Sequence, residues 1–258
     1  MIIAVAGKGG VGKSTLSALI VRYLVNRRET PVLAVDADPN STLAEKLGVK
    51  ADFTIGDIRE DALQDKYVAP AGVPKQRAVE YQVEQTLVEG SGFDLVVMGR
   101  GEGPGCYCSL NNMLRTFLHE LSSRYRHVVL DNEAGMEHLS RRTNDKVDLM
   151  LVVSDPTPTS LQAAGRISKL AAEFGIVRGR MGLIVNRTPA GSFSKDLAMS
   201  ATGLELIGCV PEDPLVRDME FSSKPLLGLP AESVAVSAID EILTTIGIAP
   251  TTGVVGAT

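Results

Sequence analysis

Tryptophan is absent from the 258-residue chain, and aromatic residues make up only 4% of it. A surface that stacks nucleic-acid bases on aromatic rings is therefore not expected. A basic excess is missing too. Acidic residues outnumber basic ones 31 to 26, for a net charge of -5, whereas bulk nucleic-acid binding needs clustered Lys and Arg. The same balance favours no membrane surface, and no apolar run approaches the roughly 18 residues of a membrane span. The N-terminus reads as a strand rather than a signal peptide. Only three cysteines are present. An odd number makes no disulfide framework, so the expected compartment is a reducing cytoplasm, where paired thiols more often serve metal or redox chemistry.

What is present is an alternation of short Val/Ile/Leu runs with helical patterns. Strands are predicted at Ile2–Ala6, Val32–Val35, Asp94–Met98, His127–Leu130, Leu149–Val153, Gly182–Val185 and Glu205–Val210. Helices are predicted at Lys13–Val25, Ser41–Leu47, Ser109–Leu121, Glu137–Lys146, Ser160–Phe174 and Ala235–Ile246. Residues 50 to 92 carry Pro70, Gly72 and Pro74 and read as irregular. Apolar runs without period-two alternation imply strands buried on both faces. The expected fold is α/β: a single domain with a mostly parallel central sheet covered by helices on both faces. The expected domain runs over residues 1–249, followed by a flexible tail at 250–258.

Gly7-Lys8-Gly9-Gly10-Val11-Gly12-Lys13-Ser14-Thr15 fits G-x-x-x-x-G-K-[ST] between a predicted strand and a predicted helix, the context that gives the motif its meaning. Its glycines let backbone N–H groups converge on phosphate, and the helix N-terminus adds its dipole. Lys13 is placed to neutralise the β and γ phosphates and Ser14 to ligate Mg²⁺. A second lysine inside the loop, Lys8, resembles the deviant Walker A motif of dimeric P-loop ATPases. That class includes nitrogenase iron protein, the arsenite-pump ATPases, the Min and Par positioning ATPases and several metal-cluster maturation factors. The resemblance implies that Lys8 reaches a partner's nucleotide across a two-fold axis; a solvated loop lysine is the plain alternative.

Further roles follow from that resemblance. Asp38, in Asp36-Ala37-Asp38-Pro39-Asn40, matches the switch I aspartate that orients the attacking water. Asp36 reads instead as a capping carboxylate or one that supports the groups touching the ligand. The apolar run Val128-Val129-Leu130 ends in Asp131, as a Walker B strand does, and implies a second group for Mg²⁺, acting through water. Glu133-Ala134-Gly135 corresponds to switch II, with the Gly135 N–H near the γ-phosphate. Asn186 resembles a base-reading amide, and Pro211 and Asp213 match the second base-flanking segment. No Asp follows Asn186 to complete a guanine signature, so ATP/ADP is expected over GTP.

Cys106 and Cys108 stand one residue apart behind Gly101-Glu102-Gly103-Pro104-Gly105. Two thiolates are half of a tetrahedral metal site, and a two-fold axis would supply the other half. Two thiols in a tight loop are the plain reading of a bare C-x-C. The segments "VMGRGEGPGCYCS" and "DNEAGMEHLSRRT" resemble the nickel-insertion accessory ATPases of carbon monoxide dehydrogenase, the CooC type. This implies a homodimer formed on nucleotide or metal binding, Ni²⁺ (or, in vitro, Zn²⁺) held between Cys106 and Cys108 of two chains, and apo carbon monoxide dehydrogenase as acceptor. Neither nucleic acid nor membrane is an expected partner. A positioning ATPase of Min or Par type, or an iron–sulfur transfer protein, is the alternative. Cys209 reads as a buried structural thiol, His119 and His138 as packing or surface groups, Arg141 and Arg142 as a solvated or partner-facing surface, and Glu102 as a carboxylate available near the thiols.

Overall fold

The computed structural model describes residues 1–38, 40–63, 75–99, 120–132, 146–189 and 192–248. Eight strands lie among them: β1 (Ile2–Gly7), β2 (Val32–Asp36), β3 (Val88–Glu89), β4 (Phe93–Val97), β5 (His127–Asp131), β6 (Val147–Ser154), β7 (Val177–Thr188) and β8 (Leu206–Pro211). They form one sheet in the order β3-β4-β2-β5-β1-β6-β7-β8. Every pairing is parallel except the short antiparallel edge of β3 on β4.

The strands alternate between two cores, which is why they read as unbroken apolar runs. Ile3 and Val5 of β1 face one hydrophobic cluster together with Val32, Ala34, Leu149 and Leu151. Ala4 and Ala6 face the other, with Leu33, Val35, Met150 and Val152. Each large aliphatic side chain buried in this way contributes about 1.5–3 kcal/mol.

The first cluster is closed by α1 (Lys13–Asn26), α2 (Thr42–Leu47) and the helix Val234–Thr245. Leu16, Leu19, Ile20, Tyr23 and Leu24 of α1 are all buried in it. The Tyr23 hydroxyl donates to the Ile248 carbonyl at 2.7 Å, tying α1 to the segment behind the last described helix. Covering the second cluster are α3 (Ile55–Leu63), α4 (Lys75–Gln85), α5 (Pro158–Glu173) and α6 (Lys195–Thr202). Helix α5 is capped by Thr157, whose side chain accepts from the Ser160 N–H, and proline follows at its first turn, an arrangement that relieves the unpaired N–H groups of a helix start.

Predicted and observed elements agree within about two residues wherever both are described, except β7, which runs over Val177–Thr188 where only Gly182–Val185 is expected. The stretch 50–92 is a second exception. Its described part is regular and holds α3, α4 and β3. Helix α4 (KQRAVEYQVEQ) carries few apolar residues, so its periodicity is faint. Two more helices were not predicted: α6, and α7 (Pro214–Phe221). The last, Val234–Thr245, is α8. The predicted helices at 109–121 (but for its last residues) and 137–146, and the tail at 250–258, lie outside the described residues.

Candidate functional site

Strand β1 sits between β5 and β6, so consecutive β1 and β2 are separated by β5 while β6 leaves on the other side. A parallel sheet opens a ligand crevice at the carboxyl ends of strands where its order switches direction. Here that crevice is flanked by the ends of β1, β2, β5, β6 and β7.

The loop leaving β1 is shaped by contacts that exclude side chains. Gly12, the residue before α1, has φ 91°, and a Cβ there would lie 2.4 Å from Asn186 Nδ2. Glycine alone meets both demands. Lys13 is buried, and its ammonium donates to the Lys8 carbonyl at 3.4 Å. The Lys8 side chain is exposed. Ser14 Oγ accepts from the Thr42 hydroxyl at 2.9 Å, and the Thr15 hydroxyl donates to Glu220 at 2.7 Å.

Two carboxylates end adjacent strands in register, Asp36 opposite Asp131, and both are fully buried. Asp36 is saturated: Oδ1 accepts from the Asp38 N–H at 3.1 Å and Oδ2 from the Leu43 N–H at 2.9 Å. It pins the first turn of α2 to β2, the capping role read from the sequence. Burial, with the charge of Asp131, pushes its pKa up to about 7. Asp131 Oδ1 accepts from the Ser17 hydroxyl at 3.2 Å, while Oδ2 is buried without a partner. Its burial raises the pKa to about 6, against the nearby Ser14, Lys13 and Ser17. An unpaired buried carboxylate oxygen is costly and waits for a cation. Asp131 and the Ser14 hydroxyl are thus a donor set that fits Mg²⁺, a hard ion that takes oxygen ligands.

Asp38 is half-buried beside this pair, and its Oδ1 accepts from the backbone and the amide of Asn40, each at 2.9 Å. One carboxylate oxygen thus shapes the turn into α2, and the other takes no hydrogen bond from a described residue.

At the expected base end the polar side chains are bonded within the fold. Asn186 is buried, and its amide donates to the Val11 carbonyl at 2.8 Å, so it buttresses the phosphate loop. Asp213 caps α7 by accepting from the Leu215 N–H at 2.8 Å with Oδ1; Oδ2 accepts from the Ser233 hydroxyl at 2.6 Å and the Ala235 N–H at 3.0 Å. These bonds hold its carboxyl below the usual range despite burial. Both oxygens are engaged in joining two helix starts. The dipeptide Asp213-Pro214, a cap followed by proline, was the available signal. Pro211 ends β8 opposite Thr188.

Three residues near the loop went unread in the sequence: Thr42, Glu220 and Arg187. Arg187 donates to the Gly10 carbonyl at 2.9 Å from a backbone with φ 56°. Cys209 is half-buried against the second core, and burial raises its thiol pKa. Cys106, Cys108 and Gly135 lie outside the described residues. Among the described residues no group of three or more His, Cys, Asp or Glu is arranged to hold a metal, and no helix is long and apolar enough to cross a membrane.

A glycine-lined loop, a buried lysine and a hydroxyl–carboxylate pair at a switch point define a nucleotide-binding P-loop protein. The chain belongs to the family described as the CobQ/CobB/MinD/ParA nucleotide binding domain, which it matches over residues 2–226, and its enzyme class is ATPase. It is 41% identical to an uncharacterized ATP-binding protein of Methanocaldococcus jannaschii over 94% of this chain and 96% of that one. It is 32% identical to the carbon monoxide dehydrogenase accessory protein CooC of Rhodospirillum rubrum, over 84% of this chain and 92% of that one. The fold is that of the MinD cell division protein of Aquifex aeolicus, with TM-score 0.68, 23% identity and 95% of each chain covered.

Proposed function

We propose that this chain is an ATP-driven metallochaperone. It binds Mg-ATP with Lys13, Ser14 and Asp131, dimerises through contacts that include Lys8, and carries Ni²⁺ between Cys106 and Cys108 of two chains to carbon monoxide dehydrogenase. The observation that carries this reading is the C-x-C pair in a chain 32% identical to a carbon monoxide dehydrogenase accessory protein over most of both lengths. Four thiolates from two chains complete a site that one chain only half fills. The ATPase unit is residues 1–249, with 250–258 as its tail.

Hydrolysis needs a water held in line with the leaving phosphate, a task assigned to Asp38. Loss of the terminal phosphate relaxes the segments around Asp38 and Gly135, as in other nucleotide switches, and metal is released to the acceptor. Zn²⁺ favours a tetrahedral thiolate site and Ni²⁺ a planar one.

The test is metal per chain after anaerobic equilibration with Ni²⁺ and dialysis, with mass from light scattering. One Ni²⁺ per two chains, lost in a Cys106→Ser/Cys108→Ser double variant, is expected. A nucleotide-bound dimer without nickel, or nickel retained by the double variant, would refute the cysteine site.

A further inference from the structure

Glu220 is not part of the phosphate-loop motif, yet it holds the residue that ends it. It lies near the end of α7, and its Oε1 accepts the Thr15 hydroxyl at 2.7 Å and pairs with the Lys46 ammonium. Lys46 is in the last turn of α2. The same short helix is fixed at its start by Thr42 on Ser14 and by Leu43 on Asp36. Helix α2 is therefore fastened to the phosphate loop at both ends, through the consecutive hydroxyls of Ser14 and Thr15. Asp38 lies four residues ahead of its first residue. Burial alone would raise the Glu220 carboxyl, but Lys46, Thr15 and Arg187 hold it below its ordinary value, so it stays an anion.

A hydroxyl has one proton to donate. Thr15 can give it to Glu220 or to a phosphate oxygen, but not to both. The carboxylate thus stands at the start of α1 where an anionic ligand is expected, and it carries the far end of α2 with it. We propose that Glu220 is a positioning residue that competes with nucleotide phosphate for the Thr15 hydroxyl and, through Lys46, couples occupancy of the loop to the seating of α2 and Asp38. This rests on the ATPase assignment of the loop and is independent of the cysteine site.

Removing the competitor should favour binding while loosening the helix that positions Asp38. In Glu220→Ala, the Kd for fluorescently labelled MgADP should fall about three- to tenfold, the worth of one hydrogen bond. kcat for ATP should fall by a similar factor. Opposite movement of the two is the signature, because a general loss of structure weakens both. Glu220→Gln keeps an acceptor for Thr15 but loses the charge facing Lys46, so kcat should fall with Kd unchanged. Lys46→Met should match it, and this pair decides the coupling should the alanine variant fold poorly. Unchanged kcat in both Lys46→Met and Glu220→Gln would overturn the coupling; a Kd that rises or stays fixed in a folded Glu220→Ala would overturn the competition. Wild-type protein that binds no MgADP would instead refute the phosphate-loop assignment, and the proposal with it.

Discussion

The two ends of the crevice treat their polar side chains in opposite ways. At the phosphate end Asp131 keeps a buried oxygen without a partner and Lys8 stands exposed. At the expected base end Asp213 has both oxygens engaged in helix starts, and Asn186 gives its amide to Val11. A buried group left without a partner costs stability, so an unsatisfied one marks where a ligand belongs. A saturated group marks where the fold is made. Asp36 and Asp131 repeat the contrast on adjacent strands, in register and equally buried.

The contrast can be broken by substitution. The largest effect is expected at Asp38: Asp38→Ala should bind ATP and lower its turnover about 10²-fold or more, with little change in melting temperature. Normal turnover would remove Asp38 from the reaction. At the other end Asp213→Ala should act on stability. Helix α7 loses its cap and the start of α8 loses the bonds from Ser233 and Ala235, costing about 1–3 kcal/mol, read as a lower Tm. An unchanged Tm with weakened ATP affinity would return Asp213 to the nucleotide site. Asp131→Asn should weaken Mg²⁺ binding about 10–100-fold, as for a group acting through bound water, and stabilise the empty protein by about 1 kcal/mol by removing the unpaired buried charge.

The smallest and most diagnostic effect is in pH. The carboxyls of Asp36 and Asp131 are raised, to about 7 and about 6. Their contribution to stability is complete below the ordinary value of 3.8 and is lost as pH rises through those two values. Asp213 is lowered, so its contribution is present above that ordinary value and disappears as pH falls through the folded one. Denaturation across pH should therefore steepen in acid for wild type, and Asp213→Ala should remove part of that loss. Asp131→Asn should flatten the decline above pH 4.

Much of this was legible in the sequence, for a physical reason. The loop from Gly7 to Thr15 and the buried strands are local patterns, set by residues a few positions apart. Asp36 was readable as a cap because its partner Leu43 is near. The charged helix α4 escaped because one apolar stripe among many polar residues gives little periodicity. Glu220 escaped because its partners, Thr15 and Lys46, are 205 and 174 residues away. Asp213 carries two local signals at once: its position matches a base-flanking segment, and Pro214 beside it marks a helix start.

The place of β1 in the sheet has a consequence for how the site breathes. Its amide protons point alternately to β5 and β6, so each meets solvent only when a pairing at the centre of the sheet separates. Hydrogen exchange slows for backbone that opens only with the whole domain, so it should be slowest along β1 and quicken toward β3 and β8. The phosphate loop hangs from the strand that opens last. Nucleotide can therefore come and go through movement of α2 and its neighbours while the cradle beneath stays closed to solvent exchange.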